Sequence, residues 1–284
     1  MNLSDRTLVR LPRGVERPFY RKRRIGSGIV HLGVGAMMRA GIAWYTDAAL
    51  SRDLGNWAIT AVSLRTPLVA RRLAAQDGLY ALGEQDECGV NLRVVGAISE
   101  VLIASEDSRR VISAIAAAST RIVSLTVTEA GYCADPKGGL DFDRAHSHSL
   151  YYFVTQGLLR RKIAGLPGLT LLSCDEMPNN GDRLRDLLLT YLMVHEPDLV
   201  EWFLNECRCP CSAGLRIVLG ADDSDSSAVI QRASGLRDRA CVLASPGARW
   251  FIEDDFVQGR PQWDYGGAQF GNRQDLAAFA ARLP

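Results

Sequence analysis

The sequence has no apolar run long enough to span a bilayer as a helix. Residues Met1 to Glu16 mix charges of both signs with a proline, and without an apolar signal core no secretory leader is expected there. Net charge is also lacking. The 33 Lys and Arg against 32 Asp and Glu leave +1, which removes the electrostatic case for nucleic acid or an acidic membrane surface as partner. The basic run Arg21, Lys22, Arg23, Arg24 reads as a solvated approach to the first strand. No disulfide framework is visible. The 7 cysteines are an odd, scattered set, the pattern of reduced thiols, and a cytoplasmic location is expected. There is no internal repeat and no low-complexity tract.

What is present is a chain of 284 residues, 47% hydrophobic and 23% charged, enough for a sizeable core in one large domain or two ordinary ones. The stretch Ile29 to Arg39 (IVHLGVGAMMR) carries a short apolar run into Gly33-Val34-Gly35, and a segment able to be helical follows to Leu50. A strand that turns sharply into a helix needs glycine at the turn and where a ligand approaches the backbone, and the helix start suits a pyrophosphate. The third glycine of the dinucleotide fingerprint is replaced by Met38, so the motif by itself fits an ordinary tight turn as well.

The rest alternates. Ala40–Leu50 reads as helix, Trp57–Leu64 as a buried strand, Pro67–Gln76 as a helix started by proline, and 79–83 as a strand pairing with Asn91–Ile98. Helix is expected over Glu106–Ala118, strand over Arg121–Val127, helix over Leu150–Lys162, strand over Leu169–Cys174 and helix over Asp182–Val194. That order predicts an α/β fold with a doubly wound, mainly parallel sheet and a binding site at the carboxyl ends of its strands, where Arg65, Thr128, Glu129, Asp175, Glu176 and Asn180 would gather. Past His195 the pattern weakens: helix over Leu199–Glu206, a loop at Cys207–Cys211, a short apolar piece at Arg216–Leu219, turns over Ala221–Ser227, a strand over Ala248–Phe256 and a terminal helix over Asp275–Arg282. A dinucleotide fold places an acidic residue at the end of its second strand. Here Leu64-Arg65-Thr66-Pro67 stands there, which leaves NADP open beside NAD.

Three further candidates have simpler readings. Cys207, Cys209 and Cys211 lack metal-ligand spacing and a nearby histidine, so no metal is expected. The adjacent carboxylates Glu253, Asp254 and Asp255 point in different directions, as in a solvated turn. His31, within the first strand, reads as a hydrogen-bonded core residue.

The wording of these pieces resembles the mannitol 2-dehydrogenase family, the long-chain polyol dehydrogenases that include fructuronate and tagaturonate reductases. The resemblance is carried by IVHLGVGAMMRA at 29–40 followed by Trp44-Tyr-Thr-Asp47, Val62-Ser-Leu-Arg65, Gln76-Asp-Gly-Leu-Tyr80, RIVSLTVTEAGYC at 121–133 and Leu172-Ser-Cys-Asp175. It extends to Trp250, Gly259-Arg-Pro-Gln-Trp263 and Gly267-Ala-Gln-Phe270. The resemblance implies a Rossmann-type domain over 29–270 after an extension at 1–28, a nicotinamide cofactor, no metal, and hydride transfer between a polyol or hexonate and its keto sugar. It implies a cofactor site of Gly33, Val34, Gly35, Arg39, Arg65, Thr128, Glu129 and Asp175, with Asn180 and Glu176 on the substrate side.

The chain also departs from the family. The family's Lys-x4-Asn-x2-His motif, on a helix of its helical C-terminal domain, is absent. Only Lys137 and Lys162 follow residue 130, and neither has that context. The family's Ser-Cys-Asp-Asn is here Ser173-Cys174-Asp175-Glu176, a carboxylate where an oxyanion-stabilising amide is expected. With that second domain missing, residues 271–284 are expected to form a stub. The face it leaves uncovered is expected to favour an oligomer or a partner. No catalytic residue is assigned, and cofactor binding with little or no activity is expected. The alternatives are a non-catalytic nucleotide- or partner-binding remnant, and a methyltransferase with a glycine-rich loop, which the later motifs do not support.

Overall fold

Five short segments form a parallel sheet in the computed structural model, which describes residues 2–146, 148–219 and 223–283. They are Ser27–Leu32 (β1), Ala58–Ser63 (β2), Ile98–Ile103 (β3), Ile122–Leu125 (β4) and Thr170–Ser173 (β5), in spatial order β3-β2-β1-β4-β5. β2, β4 and β5 are buried at every residue, and β1 at all but Ser27, which is why they read as continuous rather than alternating apolar runs. Helices cover both faces, and each face has its own apolar core: Ile29, Ile59 and Ile122 on one, Val30, Val62, Val123 and Leu125 on the other. This is the doubly wound α/β fold that the alternation of elements predicts. The chain steps outward from β1 to β3, then returns to the far side of β1 as β4, so the strand order reverses between β1 and β4.

The helices begin where their caps allow. Ala36–Ala40 (α1) and Ile42–Leu50 (α2) follow the glycine turn. Pro67–Ala75 (α3) has proline in its first turn, and Ser108–Ala116 (α4) is capped by the Asp107 carboxylate, which accepts the Arg110 N–H at 3.0 Å. Leu150–Ile163 (α5) is capped by Ser149 and ends in Arg160, Arg161 and Lys162, cations placed at the negative end of the helix dipole. Asn180–His195 (α6), Val200–Glu206 (α7), Asp223–Ser234 (α8) and Arg273–Ala280 (α9) complete the larger helices.

Several sequence expectations are corrected. The single helix over Ala40–Leu50 is two helices broken at Gly41, where a Cβ would lie 2.7 Å from Leu215 Cδ2. The strand over Asn91–Ile98 is two strands. Gly89–Val95 pairs antiparallel with Tyr80–Asp86, as the sequence suggests, whereas Ile98–Ile103 leaves to become edge strand β3. The hairpin lies in a second, mixed sheet with Val15–Glu16, Val242–Ala244 and Val218–Leu219. A third, small sheet joins Ser212–Ala213, Phe251–Glu253 and Gln269–Gly271, so the strand expected over 248–256 is only the three residues 251–253. Of the turns expected over Ala221–Ser227, residues 223–227 open α8, and Ala221 and Asp222 lie outside the described residues.

The expected stub after residue 270 is largely a docked helix. A reciprocal cap of Asn272 and Asp275 starts α9, Arg273 binds the carboxylates of Asp182 and Glu253, and Leu276 packs with Cys211 and Phe251. At the other end Leu3 is buried against Leu79 and Val94. Among the described residues no helix is long and apolar enough to cross a membrane.

Candidate functional site

The turn after β1 lies at the point where the strand order reverses. Gly33 donates its N–H to the Val62 carbonyl at 2.8 Å, extending the β1–β2 ladder. Its φ is +113°, and a Cβ there would lie 2.3 Å from the Thr126 carbonyl oxygen. Only glycine lets the end of β1 lie this close to the end of β4. Gly35 differs: its φ is −67°, it is exposed, and a Cβ would meet nothing within 4 Å. The backbone at Gly35 is therefore open to a ligand, immediately before α1, and the first N–H groups of a helix have no partner within it. Because α1 stops after five residues at Gly41, the dipole behind this opening is that of little more than one turn, less than the sequence suggests.

Across the crevice, β4 runs into Val127 and Thr128. Thr128 is a β-branched residue at φ +61°, a conformation that costs of order 1–3 kcal/mol unless its surroundings hold it. Asp175, just past β5, supplies the hold. Its carboxylate accepts the N–H of Thr128 at 3.0 Å, the N–H of Val127 at 3.2 Å and the Tyr132 hydroxyl at 3.1 Å. Tyr132 also shares a 2.6 Å hydrogen bond with Ser173 Oγ. Burial pushes Asp175 above the usual carboxylate range, and these donors counter part of that rise. Asp175→Asn keeps the shape but loses the charge and one acceptor. It is expected to lower stability by about 2 kcal/mol in urea denaturation, and to weaken dinucleotide binding as the 127–128 turn relaxes.

Beneath the glycine turn lies His31, fully buried in β1. Its Nδ1 is 2.8 Å from Ser124 Oγ and its Nε2 2.9 Å from Thr126 Oγ1. Burial lowers its pKa to about 3, so it is neutral, the hydrogen-bonded core residue that the sequence indicates.

The residues singled out in the sequence do not all meet here. Gly33, Val34 and Gly35 (after β1), Arg65 (after β2), Thr128 and Glu129 (after β4) and Asp175 and Glu176 (after β5) lie at the carboxyl edge of the sheet. Arg65 is exposed and donates from Nη2 to the Val127 carbonyl at 3.2 Å, reaching from the end of β2 across to the end of β4. Arg39 does not join them. It is buried, and its Nη1 donates to the carbonyls of Ala240 and Cys241 at 2.6 and 2.7 Å, tying α1 to the second sheet. Asn180 is corrected too. Its amide is 1% exposed and spent on the Asp175 carbonyl (2.9 Å) and the Ser212 N–H (2.9 Å), which makes it a brace, with no surface left for a substrate. Tyr132 and Ser173 had no assigned role, although both stand inside the quoted motifs; a tyrosine hydroxyl one turn beyond the strand end was the available signal.

Beside the crevice, not over it, is a groove of about 1020 Å³. The loop after β5 (Glu176, Met177, Pro178) forms one wall and α9 (Leu276, Ala277, Ala280) another. The cysteines at 207 and 211 are buried, and burial pushes the Cys207 thiol up to about 11, so they are inert at neutral pH. Of the adjacent carboxylates, Glu253 is taken by Arg273 and the Cys211 N–H, and Asp254 by Arg260.

Comparison with known proteins places this geometry. Residues 27–265 match the mannitol dehydrogenase Rossmann domain. The chain is 35% identical to the uncharacterized oxidoreductase YeiQ of Escherichia coli (strain K12) over 277 residues, 93% of this chain and 57% of that protein. It is 34% identical to D-mannonate oxidoreductase of the same organism, covering 90% of this chain and 56% of the relative. A solved structure of Pseudomonas fluorescens mannitol 2-dehydrogenase, a ternary complex with NAD and D-mannitol, superposes with a TM-score of 0.88 at 34% identity, over 95% of this chain and 58% of that one. The chain thus spans a little over half the length of the proteins it matches. The order β3-β2-β1-β4-β5, the glycine turn at its reversal point and the match across 27–265 agree, and the chain belongs to the mannitol dehydrogenase family through that family's Rossmann domain.

Proposed function

We propose that this fold serves an NAD(P)-dependent oxidoreductase that interconverts a mannitol-type polyol or a hexonate with its keto sugar. The observation that carries this reading is the crevice between β1 and β4. Gly33 permits close approach there, Gly35 leaves the backbone open, and Arg65 and Thr128 stand on its rims. That cradle fits the diphosphate of a nicotinamide dinucleotide, with NAD as the first candidate. The family match and the solved mannitol 2-dehydrogenase complex support it. When bound, the nicotinamide supplies the hydride acceptor or donor.

We further propose that residues 1–284 alone bind the cofactor with little or no turnover. Oxidising a hydroxyl requires a base within hydrogen-bond reach, and its absence costs about 10²–10⁴-fold in rate. At the carboxyl edge of the sheet Asp175 is occupied by three donors and Asn180 is buried. Lys22 and Lys162 donate to the carbonyls of Asp77 and Asp198. Glu176 is exposed at the groove, but its negative charge opposes a developing oxyanion. The groove beside it is the place for a polyol or for a partner surface. Titrating tryptophan fluorescence with NADH is expected to show saturable binding. Mixing the protein with NADH and fructose or a hexuronate is expected to give no reduction above the no-enzyme rate. Reduction above that rate would overturn the low-turnover reading, and absence of binding of both NADH and NADPH would overturn the function itself.

A further inference from the structure

We propose that Lys22 is a covalent attachment site, an amine seated in its own cavity where it forms a Schiff base with a neutral hydroxyaldehyde such as an open-chain sugar. The cavity, of about 490 Å³, lies at the amino end of the parallel sheet, between the approach to β1, the end of α3 and the first residues of β3. The glycine crevice lies at the opposite, carboxyl end, so this site does not depend on a dinucleotide.

The sequence holds three lysines, Lys22, Lys137 and Lys162. Lys137 is exposed, and Lys162 donates to the Asp198 carbonyl at 2.5 Å. Lys22 is placed differently. It opens Lys22–Arg24, a single turn of 3-10 helix, and its half-buried side chain lines the cavity together with Asp5, Asp77 and Glu100. Its Nζ donates to the Asp77 carbonyl, and Gly78 leaves room for it: a Cβ there would lie 2.8 Å from that nitrogen. Asp77 Oδ2 also accepts the Asp5 N–H at 3.0 Å, and Glu100 pairs with Arg110. The charged groups that face the amine are thus carboxylates from three separate elements, one of them already paired.

Burial lowers the Lys22 pKa to about 8, although Asp5 and Asp77 pull it the other way. About one amine in ten is then unprotonated at pH 7, against roughly one in 2,500 for an ordinary lysine. A neutral amine that donates one N–H to a carbonyl keeps its lone pair for attack. That pair attacks the aldehyde carbon, the C=O pair moves to oxygen, and loss of water leaves C=N. Counted from the ammonium, two N–H protons leave in the water with the carbonyl oxygen, and the third stays on a cationic iminium. No oxidant or reductant is needed. The carboxylates select the partner. An iminium keeps the positive charge that Asp5 and Asp77 face, acylation would remove it, and an anionic donor is repelled on approach.

The test is brief treatment of the 284-residue chain with glycolaldehyde and cyanoborohydride, which traps each C=N as a stable secondary amine, followed by peptide mass mapping. Lys22 is expected to carry about tenfold more label than Lys137 at pH 7, and its labelling should level off above a pH of about 8. In urea-unfolded protein that preference should vanish, which ties it to the fold and not to the local sequence. Glyoxylate, an aldehyde that bears a carboxylate, is expected to reverse the order and label Lys137 first. Lys22→Arg, which keeps a cationic donor for the Asp77 carbonyl, should remove most of the glycolaldehyde label with little change in melting temperature. Equal labelling of Lys22 and Lys137 by glycolaldehyde in the folded protein overturns the proposal. So does a Lys22 that glyoxylate labels as readily as glycolaldehyde, because the carboxylates would then select nothing.

Discussion

Gly33→Ala is expected to lower stability by about 3 kcal/mol or more and to remove measurable NADH binding. Two separate costs act at one atom. At φ +113° the backbone is in a region that residues with a Cβ rarely adopt, so the methyl strains the chain whatever the space around it. The methyl would also sit 2.3 Å from the Thr126 carbonyl oxygen, where main chain, not a flexible side-chain tip, is in the way. Relief requires the ends of β1 and β4 to part, and these two ends form the crevice. The Gly33 N–H bond to Val62 would be disturbed in the same movement. Gly35→Ala is the control. Its φ of −67° suits alanine and its Cβ meets nothing within 4 Å, so the protein should fold as before, and a loss of NADH affinity there reports contact with the ligand. Urea denaturation with NADH titration on both variants separates the two effects. An alanine at 33 that leaves both stability and affinity unchanged would remove Gly33 from the site.

What the sequence discloses, and what it withholds, follows from how local each cause is. β1, β2, β4 and β5 are buried on both faces and announce themselves as apolar runs. β3 does not stand out in the sequence because it is an edge strand of mixed polarity, ISEVLI, with Ser99 and Glu100 in it. It is set off from the preceding strand only by Gly96 and Ala97, and the Gly96 N–H is held by the buried Asp47 carboxylate at 2.8 Å. Val242–Ala244 is three residues long and is a strand because it pairs with Tyr80–Asp86, far away in the chain, and with Val218–Leu219. The same distance explains Arg39. The family resemblance implies a place for it at the cofactor, but the carbonyls at 240 and 241 claim it. Asn180 is likewise claimed by Ser212. The glycine turn, Arg65 and Asp175 were readable because strand ends fix their positions. That Asp175 braces Thr128 was not, because the left-handed turn it supports leaves no trace in composition.

Acidifying the protein from pH 7.5 to pH 5 is expected to cost about 2 kcal/mol through His31 alone. Burial lowers its pKa from 6.5 to about 3, so between those values the unfolded chain binds a proton that the folded chain refuses. Stability rises with pH wherever the unfolded state holds more protons, so this contribution is complete above 6.5 and is lost as pH falls toward 3. The full span of 3.5 units corresponds to about 5 kcal/mol at 1.36 kcal/mol per unit. Asp47, Asp175 and Asp238 act with the opposite sign. Burial raises all three, so their contribution is greatest at low pH and is lost as pH rises through their folded values. The histidine effect is therefore read as a difference between two proteins. His31→Gln keeps a polar group between Ser124 and Thr126 but cannot take up a proton, and its stability should fall less steeply with acid than that of the unmodified chain. Thr126 is both the partner of His31 Nε2 and the residue whose carbonyl faces Gly33, so a proton forced onto the ring disturbs the floor of the crevice. NADH affinity should accordingly fall together with stability on acidification in the unmodified protein, and fall less in His31→Gln. Parallel pH profiles for the two proteins would show that the buried histidine does not govern either.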